Sequence, residues 1–389
     1  MTPPRRGTPD FLLLFLTFSL VCFGLAMVFS ASMAFDPSEP WYMAIRQAIA
    51  IAIGTIAMFF CMNLNYQVFK KLIIPFGGVV VFLLLLVPII GKENNGATSW
   101  IVLPGGFSLQ PTELAKLAII IYLATIISKK GEKMNDFKKG IVHPLAVVAV
   151  ISAFIMMQPD LGSTMILILG SLVMIAVGGA NLKHIFYLGA SGAAVLLVGI
   201  LSYVLYLSTS NAESYRIDRL MIFWDPWVDP QDKGYQLVQS LYAFGHGGFT
   251  GAGFGQSIQK LHYLPEAHTD FIFSIIGEEL GFIGTTLFLL VYLAFLWRGL
   301  IVALRCKETF GTLTGVGIIG VIGIQSLINI GGVTASIPLT GVTLPLISYG
   351  GTSMIVTLMS IGILLSISRE YNKPEKETSR RRTTQTVAS

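Results

Sequence analysis

Charged side chains are scarce in this sequence, only 12% of its 389 residues against 53% that are hydrophobic. An ordinary soluble domain carries about twice that share of charge, so the composition argues for a lipid bilayer as the solvent. Cysteine is nearly missing as well: Cys22, Cys61 and Cys306 fall in apolar runs or on the expected cytosolic side, which excludes an extracellular disulfide framework. No His-Glu-x-x-His or similar ligand spacing joins the outer histidines His246, His262 and His268, so a structural zinc is not expected. There is no internal repeat of the inverted-transporter type.

What the chain does have is long apolar runs. A membrane-spanning helix needs roughly 17 to 25 mainly apolar residues, and ten such runs are found: Phe11 to Met33, Ala44 to Met62, Leu72 to Ile90, Pro111 to Ser128, Pro144 to Met157, Leu161 to Ala180, Ile185 to Leu207, Phe271 to Trp297, Phe310 to Ile330 and Thr352 to Ser368. The fifth is the shortest. The runs are continuously apolar rather than alternating, which predicts helices and not a barrel. The expected fold class is therefore all-α, a single polytopic membrane domain. The first run follows Arg5 and Arg6 without a small-residue cleavage site and is expected to be retained.

Lys and Arg concentrate in cytosolic loops. With both ends inside, 19 of the 26 Lys and Arg residues fall on the cytosolic side, and 14 of the 21 acids fall on the other side or within helices. The net charge of +5 is thus a topology signal, and the basic tail from 369 to 389 needs no nucleic acid to explain it.

Three outer segments remain. Gly91 to Gln110 is moderate in length, while Ser208 to Asp270, between the seventh and eighth runs, is long and rich in Trp, Pro, Gly and Tyr; loops of that length are usually functional when not disordered. Gly331 to Gly351 contains Pro338, Pro345 and several glycines. It is expected to dip back as irregular backbone covered by protein or water.

Ionisable groups inside membrane helices are costly and are candidates for function. Pro111 suits the first position of the fourth helix, Glu113 lies in its first turn, and Lys116 is three residues on. The pair is either a capped helix start or an acid and base in a cavity. Asp160, in Gln158-Pro159-Asp160-Leu161-Gly162, is placed to cap the sixth helix near the outer interface. Glu278 and Glu279 are adjacent and point about 100° apart, so at most one faces a given cavity. Gln325 and Asn329, four apart, are expected to bond neighbouring helices.

In the long loop, Arg216 and Arg219 give a cationic face suited to phosphate if that turn is helical, or an ion-pair cluster with Asp218 and Asp225. The glycines from Gly245 to Gly255 match neither a P-loop nor a dinucleotide fingerprint. They read as a turn-rich connector, with an anion cradle as the alternative. Asp270 closes Tyr263-Leu264-Pro265-Glu266-Ala267-His268-Thr269-Asp270-Phe271, where it is either an N-cap for the eighth helix or a general base for a sugar hydroxyl.

These motifs closely resemble the SEDS family (shape, elongation, division and sporulation). The match runs from Arg46-Gln47 through Gln110 to Lys116, Gln158 to Gly162, Gly234-Tyr235-Gln236 and Leu264 to Phe271, and on to Pro345-Leu346-Ile347-Ser348-Tyr349-Gly350-Gly351. Ile275 to Gly281 looks more like the FtsW and SpoVE branch than the RodA branch. The resemblance implies a peptidoglycan glycosyltransferase that polymerises lipid II on the outer face of the cytoplasmic membrane, at a division or sporulation septum. It also implies a class B penicillin-binding protein as partner, beside other divisome or sporulation proteins.

On this resemblance Asp270 is the base. Arg216, Arg219, Lys116 and Lys260 join Glu113, Asp160, Glu266, His268 and Ser348 in the substrate-binding groove. A divalent cation, Mg2+ or Mn2+, is left open as a helper for the pyrophosphate charge. The rival is a lipid II flippase, for which Glu113, Lys116, Glu278, Glu279, Gln325 and Asn329 are able to line a polar path. Against it, the densest polar chemistry lies on one face.

Overall fold

The computed structural model describes residues 7–33, 39–94, 97–102, 108–190, 192, 223–232 and 234–372. Its helices are α1 (Phe11–Ser32), α2 (Tyr42–Asn63), α3 (Gln67–Ile90), α4 (Pro111–Lys130), α5 (Val142–Met156), α6 (Leu161–Val177), α7 (Tyr235–Gly247), α8 (Ile272–Leu304), α9 (Thr309–Val333) and α10 (Gly351–Tyr371). Eight helices among the described residues are long and apolar enough to cross a membrane, and α6 is a shorter apolar one. The seventh expected run, 185–207, is helical up to residue 190, and nearly all the rest lies outside the described residues. The fifth run is lengthened by a π-helical turn, Phe137–Ile141, giving a span of 20 residues. Between α3 and α4, within the segment Gly91 to Gln110, lies a small antiparallel sheet, β1 (Lys92–Asn94), β2 (Ala97–Val102) and β3 (Ser108–Leu109).

The interior is built around α4, α10 and α9, whose apolar windows are 78%, 72% and 67% buried, against 22% for α3. Arg298 of α8 forms a two-pronged pair with Asp10 at 2.6 and 3.0 Å. Asp10 also caps α1 through Leu13 N–H. Burial works against the Asp10 carboxylate, but hydrogen bonds from Arg298 and the Leu13 amide outweigh it and hold its pKa below the usual range.

Two breaks in regular backbone shape the half of the bundle that holds Asp270, and each is met by specific partners. Inside α8, Gly281 takes φ 66° and ψ −171°, which frees carbonyls before it and N–H groups after it. The glycine-rich stretch supplies the missing bonds: Ala252 N and Gly253 N donate to Glu278 O and Glu279 O at 2.9 and 3.0 Å. In return Phe282 N and Ile283 N donate to Gly248 O and Phe249 O at 2.8 and 3.1 Å. The stretch is neither a loose connector nor a cradle; it is a backbone splint. Beyond the break, Phe282 to Leu304 extends about 34 Å at 1.5 Å per residue, enough to span the bilayer alone.

The splint works only at close range. A Cβ on Gly251 would collide with Glu279 O, and Gly251 has φ +83°, a conformation that is strained for any other residue. Gly251→Ala is expected to cost about 2 kcal/mol or more, read as a lower melting temperature of the purified protein. A variant that melts with the wild type would contradict the splint.

The second break is the expected re-entrant segment, 334–350, which is irregular throughout. Its buried carbonyls are met by side chains from surrounding helices. Gln47 donates to Ser348 O, Gln325 to Thr343 O, Asn329 to Val342 O and Tyr292 to Pro345 O. Partners of this kind for four of its carbonyls help make non-helical backbone tolerable there.

Candidate active site

Asp270 lies one residue before Phe271, the N-cap position of α8, whose own side chain makes no cap hydrogen bond. The carboxylate is partly exposed and faces the re-entrant segment: a Cβ on Gly341, which has φ +70°, would lie 3.4 Å from Asp270 Oδ2. Asn329 ties this residue to the re-entrant segment, and the start of α6 packs on the same segment. Asn329 of α9, 3% exposed, donates through Nδ2 to both Asp270 O and Val342 O at 2.7 Å. Asp160 caps α6 by accepting from Ser163 N at 2.9 Å. The next helix turn packs on the same segment, where a Cβ on Gly162 would touch Val342 and Thr340.

Deeper in the bundle, Lys116 donates to Glu113 Oε1 at 2.8 Å and Gln325 Oε1 at 2.7 Å, and Gln325 passes its own amide to Thr343 O at 3.0 Å. The pair is thus more than a helix cap: both side chains are buried and line a cavity of about 30 Å³ with Pro345, Thr357 and Ser360. Ser348 is 4% exposed. Its hydroxyl accepts from Leu344 N at 2.7 Å, so it shapes the re-entrant turn from within.

The loop leading to Asp270 is held by its own residues. Glu266 has φ 55°, accepts from Thr269 Oγ1 at 2.7 Å through Oε2, and accepts Thr269 and Phe271 N–H through its carbonyl. His268 packs its ring 5.5 Å from that of Tyr349, and its carbonyl takes Tyr349 N–H at 2.9 Å. Tyr349 in turn is hydrogen-bonded to Arg46, whose guanidinium lies 4.7 Å from the Tyr42 ring centre. Lys260, expected among the substrate-binding residues, is instead engaged inside the protein: its ammonium, 4% exposed, donates to Glu279 Oε1 at 2.9 Å and Ser30 Oγ at 3.0 Å. Glu278 is fully buried. It accepts from Ile258 N at 2.9 Å and from Ser257 Oγ, and it pairs with His246 Nδ1 at 2.9 Å.

Burial pushes the His268 pKa down, more than the Glu266 carboxylate pulls it up. The imidazole is neutral at pH 7. The unfolded chain, with a value near about 6.5, therefore binds more protons than the folded one between that pH and the lowered folded value. The stabilising contribution is present above about pH 6.5 and is lost as pH falls through the folded value. Melting temperature is expected to drop on acidification from about pH 7 to about pH 5, and to drop less in His268→Gln; identical curves would contradict a buried neutral imidazole.

Arg216 and Arg219 lie outside the described residues. No group of three or more His, Cys, Asp or Glu able to hold a metal occurs among the described residues, and the chemistry below is derived from the chain's own residues. The i, i+4 pair Gln325 and Asn329 is expected from the sequence to bond neighbouring helices, and Gln325 does accept from Lys116 of α4, but the amide N–H groups of both go elsewhere. Their acceptors prove to be loop carbonyls, whose position no hydropathy pattern reports.

A family model described as cell cycle protein, of the FtsW, RodA and SpoVE type, matches residues 11–373. The chain is 45% identical to stage V sporulation protein E of Bacillus subtilis (strain 168) over 376 residues, 94% of this chain and 98% of that protein. It is 39% identical to the probable peptidoglycan glycosyltransferase FtsW of Geobacter metallireducens, covering 92% and 94% of the two. Among solved structures it is similar to a chain of a peptidoglycan synthase complex that coordinates polymerization and crosslinking. There the TM-score is 0.73 at 30% identity, over 94% of this chain and 99% of that one. The rod shape determining protein RodA of Thermus thermophilus gives 0.64 at 28%, over 94% and 98%. With the family match spanning almost all its length, the chain belongs to the FtsW, RodA and SpoVE family of cell cycle proteins.

Proposed function

We propose that this chain is a peptidoglycan glycosyltransferase that polymerises lipid II, with Asp270 as general base. The observation that carries the assignment of the base is the position of Asp270: a partly exposed carboxylate at the start of α8, mounted between α9 and a glycine turn. The relatives' naming as glycosyltransferases supports the reaction class.

In this mechanism the Asp270 carboxylate takes the proton from the acceptor's GlcNAc 4-hydroxyl as that oxygen attacks the anomeric carbon of the donor's MurNAc. The bond from that carbon to the pyrophosphate oxygen breaks, the configuration inverts, and the lipid pyrophosphate leaves with the bonding pair. General-base help of this kind contributes about 10²- to 10⁴-fold. Arg216 and Arg219 are assigned to the developing pyrophosphate charge, the electrostatic term that is often largest. Lys116, with Glu113 and Asp160, lines the groove behind it, and Ser348 shapes the opposite wall. Glu266, His268 and Lys260 support the loop that carries the base.

The charge distribution supports cytosolic termini and an outer active face, where no nucleotide is needed because the departing pyrophosphate supplies the drive. The partner is a class B penicillin-binding protein, in keeping with the synthase complex whose chain this one resembles. The site of action is a division or sporulation septum. Purified protein with its transpeptidase, given lipid II, is expected to yield glycan chains. Transbilayer movement of lipid II without chain formation would favour the flippase instead.

A further inference from the structure

We infer that Asn329 is a positioning residue for Asp270, acting through the main chain and never through the carboxylate. This rests on Asp270 being the base. Two flexible-looking segments meet at the site, the loop that ends at Asp270 and the re-entrant turn around Gly341, and neither contributes regular secondary structure there. The Asn329 amide joins them directly, its two N–H groups forking to Asp270 O and Val342 O at 2.7 Å each.

The platform beneath is rigid. Asn329 sits in α9, a helix whose apolar window is 67% buried. One turn earlier Gln325 donates to Thr343 O and is itself held by Lys116. Two amides on one helix face therefore fix consecutive carbonyls, 342 and 343, of the turn that faces the Asp270 carboxylate. Only Asn329 also reaches the Asp270 backbone. Its geometry sets the distance between the carboxylate and Gly341, and so the direction in which the base faces its substrate.

The chemistry favours this assignment over generic packing. An asparagine in a membrane helix could satisfy its amide on a neighbouring helix, and such bonds average well under about 1 kcal/mol. Here both donors go to loop carbonyls at the site. Misplacement of a reacting group by about 1 Å can cost on the order of 10²-fold in rate.

The test uses the full-length protein paired with its transpeptidase, comparing wild type, Asn329→Leu, Asn329→Gln and Asp270→Asn in lipid II polymerisation, with rates per folded, partner-bound molecule. Asn329→Leu removes both donors and is expected to lower kcat by about 10- to 100-fold with KM changed less than about twofold, because Asn329 is buried beneath the site. Asn329→Gln keeps the amide but displaces it by about one C–C bond, roughly 1.5 Å, and is expected to fall between the two. If Asn329→Leu does not fold, Asn329→Gln decides alone by the same split. Wild-type kcat in a folded Asn329 variant beside an inactive Asp270→Asn overturns the positioning role only; wild-type activity in Asp270→Asn overturns the base on which it rests.

Discussion

Replacing Lys260 with methionine is expected to destabilise the protein by about 3–5 kcal/mol, because it leaves the Glu279 carboxylate buried without its cation. Glu279 is 1% exposed, and although Ser30 Oγ donates to it at 2.6 Å and Ser257 N at 3.4 Å, the cation paired with it among the described residues is Lys260. The double variant Lys260→Met with Glu279→Gln removes both charges and is expected to recover most of the loss, since a buried pair is worth little against a neutral replacement. Unfolding by heat or by titrated detergent, with single and double variants compared, reads both effects. A Lys260→Met protein as stable as wild type, with a raised KM for lipid II, would show that the ammonium meets substrate after all.

The size of that effect follows from where the pair sits. Glu279 belongs to the first part of α8, Ser30 to the outer end of α1, and Lys260 to the loop that continues into the Asp270 segment. The same stretch of α8 is splinted by the glycine run through the Glu278 and Glu279 carbonyls. Charge, hydroxyl and backbone bonds therefore converge on one turn of helix, ahead of the Gly281 break. Removing the cation is expected to loosen the junction from which the Asp270 loop departs.

Much of this architecture was legible in the amino-acid sequence, for identifiable reasons. Apolar run length is a property of residues alone, so the spans could be read directly, as could the start of α4 at Pro111 and the Asp160 cap of α6. The irregular 334–350 segment announced itself through Pro338, Pro345 and its glycines. Other features depend on partners distant in sequence. The break at Gly281 is invisible to hydropathy because it changes φ and not polarity, and its splint lies some thirty residues earlier. Helix α7 went unread since its flanking Pro and Gly residues dominate the loop's composition, although Leu237, Val238 and Ala243 form a buried face. Lys260 looked available because an outer loop usually exposes its lysines; only the fold brings Glu279 and Ser30 to it.

The largest expected effect on activity is at Asp270. Asn is nearly isosteric with Asp and keeps a polar side chain, yet the amide has no basicity with which to accept the acceptor hydroxyl's proton. Because Asn329 holds this residue by its carbonyl and not by its side chain, the substitution leaves that anchor intact, and the fold is expected to survive. The loss should then appear in kcat, by about 10²- to 10⁴-fold, with transpeptidase binding and melting temperature near wild type.

Polymerisation of purified lipid II by wild type and Asp270→Asn, each in complex with its transpeptidase and each shown to be folded, is the most direct measurement. Glycan chains from the wild type and none from the folded, paired variant are expected. Chains of equal yield from both would contradict Asp270 as the base and move the search to another carboxylate facing the same groove.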